Sequence, residues 1–161
     1  TAEYFKNKFS LEDSIEEIMN DWNTMAYNYY TNDIKLKPGA LQYLLKLKEL
    51  GIKIGLATSS SMHLLTTTLK SNNAFELFDA ITVTDEVEKS KSNPDIYLLA
   101  AKKLGVNPSE CMVFEDIIAA VYGAKLAGMK VTGVYDKHSE HQIDILKKEC
   151  DNYIYNYEDL I

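Results

Sequence analysis

From Ala40 onward the chain repeats one unit, a short apolar run alternating with an amphipathic helical stretch, and no other feature restricts its fold as much. A helical pattern over Ala40 to Leu50 stops at Gly51, a residue suited to ending a helix. Ile52 to Ala57 is an apolar run, and a second helical pattern covers about Met62 to Ser71. Ala80 to Thr84 is apolar again, and the polar stretch Asp85 to Asn93 leads to Pro94, expected at the first helical position. The helix Asp95 to Leu104 then stops at Gly105. Cys111 to Phe114, a helix from about Ile118 to Ala127, Lys130 to Tyr135, a charged helix near Glu140 to Glu149, and Tyr153 to Tyr155 complete the series. Strands alternating with helices in this way specify an α/β fold, a parallel sheet covered on both faces with right-handed crossovers.

Lys37-Pro38-Gly39 breaks the pattern and separates an all-helical opening, 1–37, from the α/β region, 38–161. Residues 3–31 read as helical, with Ser10 as the expected N-cap and Leu11, Ile15, Ile18, Met19, Trp22, Met25 and Ala26 on one face. The length of 161 residues suits one domain with a small appendage, and 46% apolar with 25% charged residues is ordinary globular composition. The 17 basic residues against 24 acidic ones give a net charge of −7, and every basic residue is Lys. That field repels nucleic acid, and the guanidinium that reads guanine edges is missing, although a local pocket can still hold one small phosphate. Cys111 and Cys150 are far apart, without CxxC spacing, which points to a reducing, cytoplasmic setting. No apolar run approaches a membrane span and no signal-peptide pattern opens the chain, whose first residue is Thr1.

In a parallel sheet, ligands bind beyond the carboxyl ends of the strands, and polar groups gather at those ends here. Thr58 and Ser59 follow the first apolar run. A hydroxyl with free backbone N–H groups at a helix start suits an oxyanion, though Ser60 or Ser61 could equally be plain helix caps. Lys91, ahead of Asn93-Pro94, can balance phosphate charge as a point cation or stand in solvent. Glu115-Asp116 directly follows a buried strand. Adjacent carboxylates need a counter-charge, and magnesium prefers carboxylate and water oxygen; otherwise Asp116 caps the next helix and Glu115 pairs with a lysine. Taken together, the three elements bracket a phosphate between a lysine and a metal, the arrangement phosphoryl transfer uses.

These residues carry a resemblance. Leu56-Ala57-Thr58-Ser59, then Lys91-Ser92-Asn93-Pro94-Asp95-Ile96-Tyr97, then Val113-Phe114-Glu115-Asp116, and Gly128-Met129 with the strand after it, resemble the ordered motifs of the haloacid dehalogenase superfamily, in its β-phosphoglucomutase-like phosphatase branch. The resemblance covers about three quarters of the chain and implies a Rossmann-like core, with the helices before Pro38 as part of a mobile cap that closes over substrate. It implies that Thr58 and the Ser59 N–H hold the transferring phosphoryl group and that Lys91 neutralises charge on the attacking carboxylate and phosphate. Glu115 and Asp116 would bind Mg2+. The activity it implies is a magnesium-dependent phosphatase of small phosphorylated metabolites, sugar phosphates or nucleotide-like monoesters, working through an aspartyl-phosphate as a monomer. A phosphosugar mutase and a non-catalytic binding protein are the alternatives.

The resembled family places its nucleophile in an Asp-x-Asp pair after a central strand lying between those that end at Thr58 and Glu115, and no Asp-x-Asp pair occurs here. Three explanations are open: a longer polypeptide, a gap filled by another segment or chain, or a degenerate paralogue. Ser92 stands where the family usually has Pro, Ile117 where it has Ser, and Ala120 where a Gly lets the helix approach closely. His63 reads as a surface or cap contact, and His138 with His141 as part of a solvated turn.

Overall fold

A computed structural model describes residues 1–161 and carries seven α-helices and five short strands. The helices are α1 (Ala2–Phe9), α2 (Ile15–Asn32), α3 (Ala40–Glu49), α4 (Met62–Ser71), α5 (Asp95–Leu104), α6 (Ile118–Leu126) and α7 (Ile143–Glu149). The strands are β1 (Gly55–Thr58), β2 (Ala80–Val83), β3 (Met112–Glu115), β4 (Lys130–Val134) and β5 (Asn152–Ile154). All strand pairs are parallel, as the alternation requires. Each expected strand and helix from Ala40 onward is present, with shifted ends. Ile52 and Lys53 lie outside β1, and the Ile54 N–H bonds the Asp79 carboxylate at 2.7 Å instead of a ladder partner. Pro94 sits at the N-cap of α5, one residue before the expected place. The last helix starts at Ile143, after a 3-10 turn over Lys137–Gln142.

The opening is two helices. Ser10 does not start a helix; it ends α1 in the left-handed conformation, φ 51°. Ser14 is the cap of α2, its hydroxyl accepting from the Glu17 N–H while the Glu17 carboxylate accepts from the Ser14 N–H. The apolar stripe is also less packed than its spacing implies. Ile18 is buried and Trp22 packs edge-on to Phe5, but Met19 and Met25 are exposed. α2 lies on α4, with the Tyr27 ring stacked on His63 at 5.2 Å and the Thr68 hydroxyl donating to the Tyr30 carbonyl.

The strands form two separate sheets, β1 with β2 and β3-β4-β5, and no ladder joins β1 to β3. The larger core, Ile96, Tyr97, Ala101, Val121, Ala124, Ala127, Met129, Val131 and Leu146, lies between α5, α6, α7 and the β3–β5 sheet. A smaller one, Leu65, Leu69 and Ala74, lies under α4. Helix α5 packs on β1, β2 and α6, and so ties the two sheets together. A second tie is aromatic: Tyr43 of α3, Phe114 of β3 and Tyr157 form a triangle with ring centroids 5.5 to 5.8 Å apart. The Tyr157 N–H donates to the Pro38 carbonyl. Gly39 makes that approach possible. Its φ is +74°, and a Cβ there would fall 2.5 Å from the Glu158 nitrogen.

Candidate active site

The carboxyl ends of β1 and β3 and the loop after β2 meet in one cleft of about 550 Å³, lined among others by Thr58, Ser59, Lys91, Glu115 and Asp116. All five residues singled out in the sequence therefore share one site, drawn from both sheets. Thr58 ends β1, and its hydroxyl accepts the Ser60 N–H at 3.0 Å, fixing a tight turn at the cleft wall. The hydroxyl that caps α4 is that of Ser61, so neither Thr58 nor Ser59 is consumed as a cap.

Lys91 and Glu115 form an ion pair across the seam between the sheets. Glu115 is 8% exposed, so its charge has little water and depends on its partners. One partner is the Lys91 ammonium; the second is the Tyr97 hydroxyl, which donates to the same oxygen, Oε1, at 2.9 Å. Burial first, and then the Glu115 charge and the hydrogen bond to it, push the Tyr97 phenol far above its ordinary range. Tyr157 borders the same carboxylates. Burial, and then the charges of Glu115 and Asp116, push its phenol up to about 12.

Asp116 is half-buried at the cleft and is not the cap of α6, whose N-cap is Ile117 with no side-chain bond. The first free N–H of α6, at Ile118, instead donates to the Gln142 side-chain oxygen at 2.9 Å. The helix start that Ile117 leaves uncapped is thus satisfied from the turn before α7. Helix α6 approaches the lysine loop closely at Gly123. A Cβ on Gly123 would lie 2.0 Å from the Lys91 carbonyl oxygen and 3.0 Å from the Tyr97 ring. Gln142, Tyr157 and Gly123 are not legible as site residues, and Tyr97 stands in the lysine-motif stretch without a role that the sequence shows. A Gly inside an otherwise helical apolar stretch, Val121-Tyr122-Gly123-Ala124, is the signal the sequence offers for Gly123.

A divalent ion fits what is present only in part. Hard oxygen donors suit Mg2+, which keeps several waters and needs only one or two carboxylates. The chain supplies two carboxylates, Glu115 and Asp116, and one Glu115 oxygen is already taken by Lys91 and Tyr97. No three His, Cys, Asp or Glu side chains cluster as a metal site anywhere in the molecule, His138 and His141 included.

A family model described as haloacid dehalogenase-like hydrolase matches residues 2–128. The chain belongs to that family. Among relatives of these haloacid dehalogenase-like hydrolases, the Bacillus subtilis (strain 168) protein named "Putative phosphatase YhcW" is 48% identical over 103 residues, 64% of this chain and 47% of that protein. The chain thus spans about half the length of that relative. A point mutant of CbbY from Rhodobacter sphaeroides, solved with xylulose-(1,5)bisphosphate, has a TM-score of 0.81 at 25% identity. That match covers 93% of this chain and 67% of CbbY. β-Phosphoglucomutase from Clostridium difficile gives 0.72 at 27% identity, covering 99% and 69%. The fold is accordingly the Rossmann-like one of the β-phosphoglucomutase-like haloacid dehalogenase proteins. No helix is long and apolar enough to cross a membrane.

Proposed function

We propose that this chain carries most of the core of a magnesium-dependent phosphatase of small sugar phosphates. The observation that carries the reading is the convergence, in one cleft, of the Thr58–Ser59 turn, the Lys91 ammonium and the Glu115–Asp116 pair. In that reading 1–37 is part of the cap and 38–161 the core.

The roles follow from the chemistry of each group. The Thr58 hydroxyl and the Ser59 N–H hold phosphoryl oxygens by hydrogen bonds. Lys91, anchored on Glu115, lies between phosphate and carboxylate and offsets the charge that builds up in transfer. Asp116 and the free oxygen of Glu115 are the groups that would hold Mg2+, which when bound supplies charge neutralisation at the phosphate. The nucleophile is an aspartate on a further strand between β1 and β3. Its carboxylate oxygen bonds phosphorus as the P–O bond to the sugar breaks and the sugar oxygen takes a proton from the second aspartate of the Asp-x-Asp pair; water then attacks phosphorus, gives a proton back to that aspartate, and frees the carboxylate and inorganic phosphate. The sugar-phosphate class rests on the CbbY complex and the phosphoglucomutase neighbour. The latter also makes a phosphosugar mutase the second outcome of the assay.

The test is a panel of sugar monophosphates with Mg2+, run on the polypeptide together with whatever coding sequence precedes Thr1. Release of phosphate that falls at least about 100-fold in Asp116→Asn supports the reading. Isomerised sugar phosphate without release supports the mutase. If neither product forms and Asp116→Asn behaves as the unsubstituted protein does, the proposal is wrong. The alternative is a non-catalytic anion-binding role, in which the Thr58–Ser59 turn and the Lys91 ammonium hold phosphate without transfer. Saturable phosphate binding with no acid-labile phosphoenzyme would support it.

A further inference from the structure

We propose that Tyr97 is a positioning residue for cation binding: its buried hydroxyl, together with the Lys91 ammonium, occupies Oε1 of Glu115 and leaves Oε2 as the oxygen that serves a divalent ion in the cleft. The inference rests on the metal reading above and adds a residue to it.

Tyr97 is 2% exposed and belongs to the larger core, where Phe would fill the same space without a polar atom to satisfy. Its hydroxyl has a single protein partner, Glu115 Oε1, 18 residues away on a different element. Lys91 meets the same oxygen and also lies 5.9 Å from the Tyr97 ring centroid, so the two partners approach one carboxylate oxygen side by side. A carboxylate with both partners on one oxygen cannot rotate freely, and its second oxygen is held in a fixed place. The two partners also share one backstop. Gly123 of α6 lies directly beneath the Lys91 carbonyl and the Tyr97 ring, where any side chain would displace both. Packing, hydrogen bonding and the ion pair thus all converge on the orientation of one carboxyl group.

Outer hydrogen bonds to a ligating carboxylate set metal affinity by roughly 10- to 100-fold. The experiment compares the full chain with Tyr97→Phe and Asp116→Asn. Mn2+ is the spectroscopic probe, read by electron paramagnetic resonance of the free ion, and inorganic phosphate binding without metal is read in parallel by calorimetry. Tyr97→Phe is expected to weaken Mn2+ binding about 10-fold, with phosphate affinity near that of the unsubstituted chain and a lower melting temperature, because Glu115 loses a hydrogen bond where little water can replace it. Two results overturn the inference alone: Mn2+ binding unchanged in Tyr97→Phe but lost in Asp116→Asn, or Mn2+ and phosphate binding weakened together, the mark of a merely structural role. No saturable Mn2+ signal from the unsubstituted chain overturns the metal reading and this inference with it.

Discussion

The two sheets differ in how firmly they are built. The β3-β4-β5 half has a nine-residue core in which Ile96, Val121, Ala124, Val131 and Leu146 are 1% exposed or less, whereas the β1-β2 half rests on three buried residues, Leu65, Leu69 and Ala74. The half that holds the acids is the rigid one, and the half that holds the hydroxyls is the lighter. Chemistry at the cleft therefore depends on what fixes one half against the other. Beside α5 and the Tyr43–Phe114–Tyr157 triangle, the seam is crossed by the Lys91–Glu115 pair, by the close backbone approach at Gly123, and by the pairing of Lys37 with the end of β4.

Truncation in each core should show the inequality directly. Ile96→Ala, at a fully buried position of the larger core, is expected to cost about 4 kcal/mol, and Leu69→Ala under α4 about 2.5. Urea unfolding followed by circular dichroism measures both. Equal losses would mean that the halves are equally well packed, and the comparison would fail.

Lys91→Met removes the charged link across the seam. Glu115 then keeps only the Tyr97 hydroxyl in an environment poor in water, and a loss of about 3 kcal/mol is expected. Phosphate binding should fall with it, by calorimetry, since the cation facing the cleft is gone. A variant as stable as the unsubstituted chain would show that Lys91 contributes charge to the cleft but no cohesion between the halves.

Gly123→Ala probes the same seam sterically. A methyl 2.0 Å from the Lys91 carbonyl must push the lysine loop or α6 aside, and overpacking of this kind costs about 2 kcal/mol. Ala is the better helix former, so an isolated α6 would gain from the change. A melting temperature that rises would therefore show the loop yielding freely, and would remove Gly123 from the account of how Lys91 is held.

Much of this was legible because periodicity and motif order are local. The alternation of β1 through β5 with α3 through α7 followed from apolar spacing and from Gly51, Gly105 and Gly128, all three at positive φ. Thr58, Lys91 and Glu115 converge because parallel strands bring their carboxyl ends to one rim. The misses are tertiary. Ser10 and Ser14 both precede helical spacing, and only the reciprocal bond with Glu17 shows which one starts α2. Tyr97 stands in the stretch that resembles the lysine motif, but its role does not show there, because a hydroxyl's partner 18 positions away leaves no mark on sequence spacing. Gln142 serving the N-terminus of α6 is likewise a contact between distant turns. Position 120 carries Ala where the resembled pattern has Gly, and the tight contact with the lysine loop at Gly123, one turn later, is a tertiary fact that the pattern does not encode.

The smallest expected effect belongs to Lys37, in the linker between α2 and α3. Its ammonium bonds the Asp136 carboxylate at 2.5 Å and the Tyr135 carbonyl at 2.9 Å, joining the linker to the end of β4. The Lys37 hydrogen bond is the chief reason the Asp136 carboxyl titrates below its ordinary value, with further help from the His138 N–H. A carboxyl depressed in the folded state adds stability that is fully present above its unfolded pKa, about 4, and is lost as pH falls through the lower folded value. Both side chains are partly in water, so the pair is worth about 0.5 kcal/mol. Lys37→Met should thus lower stability slightly at neutral pH, and the gap to the unsubstituted chain should close on acidification below about pH 4. Thermal melts across that range at low and moderate salt measure it. A gap that stays constant with pH would mean that Lys37 holds the linker through the Tyr135 carbonyl and its own methylenes, with Asp136 committed to the turn it caps at His138.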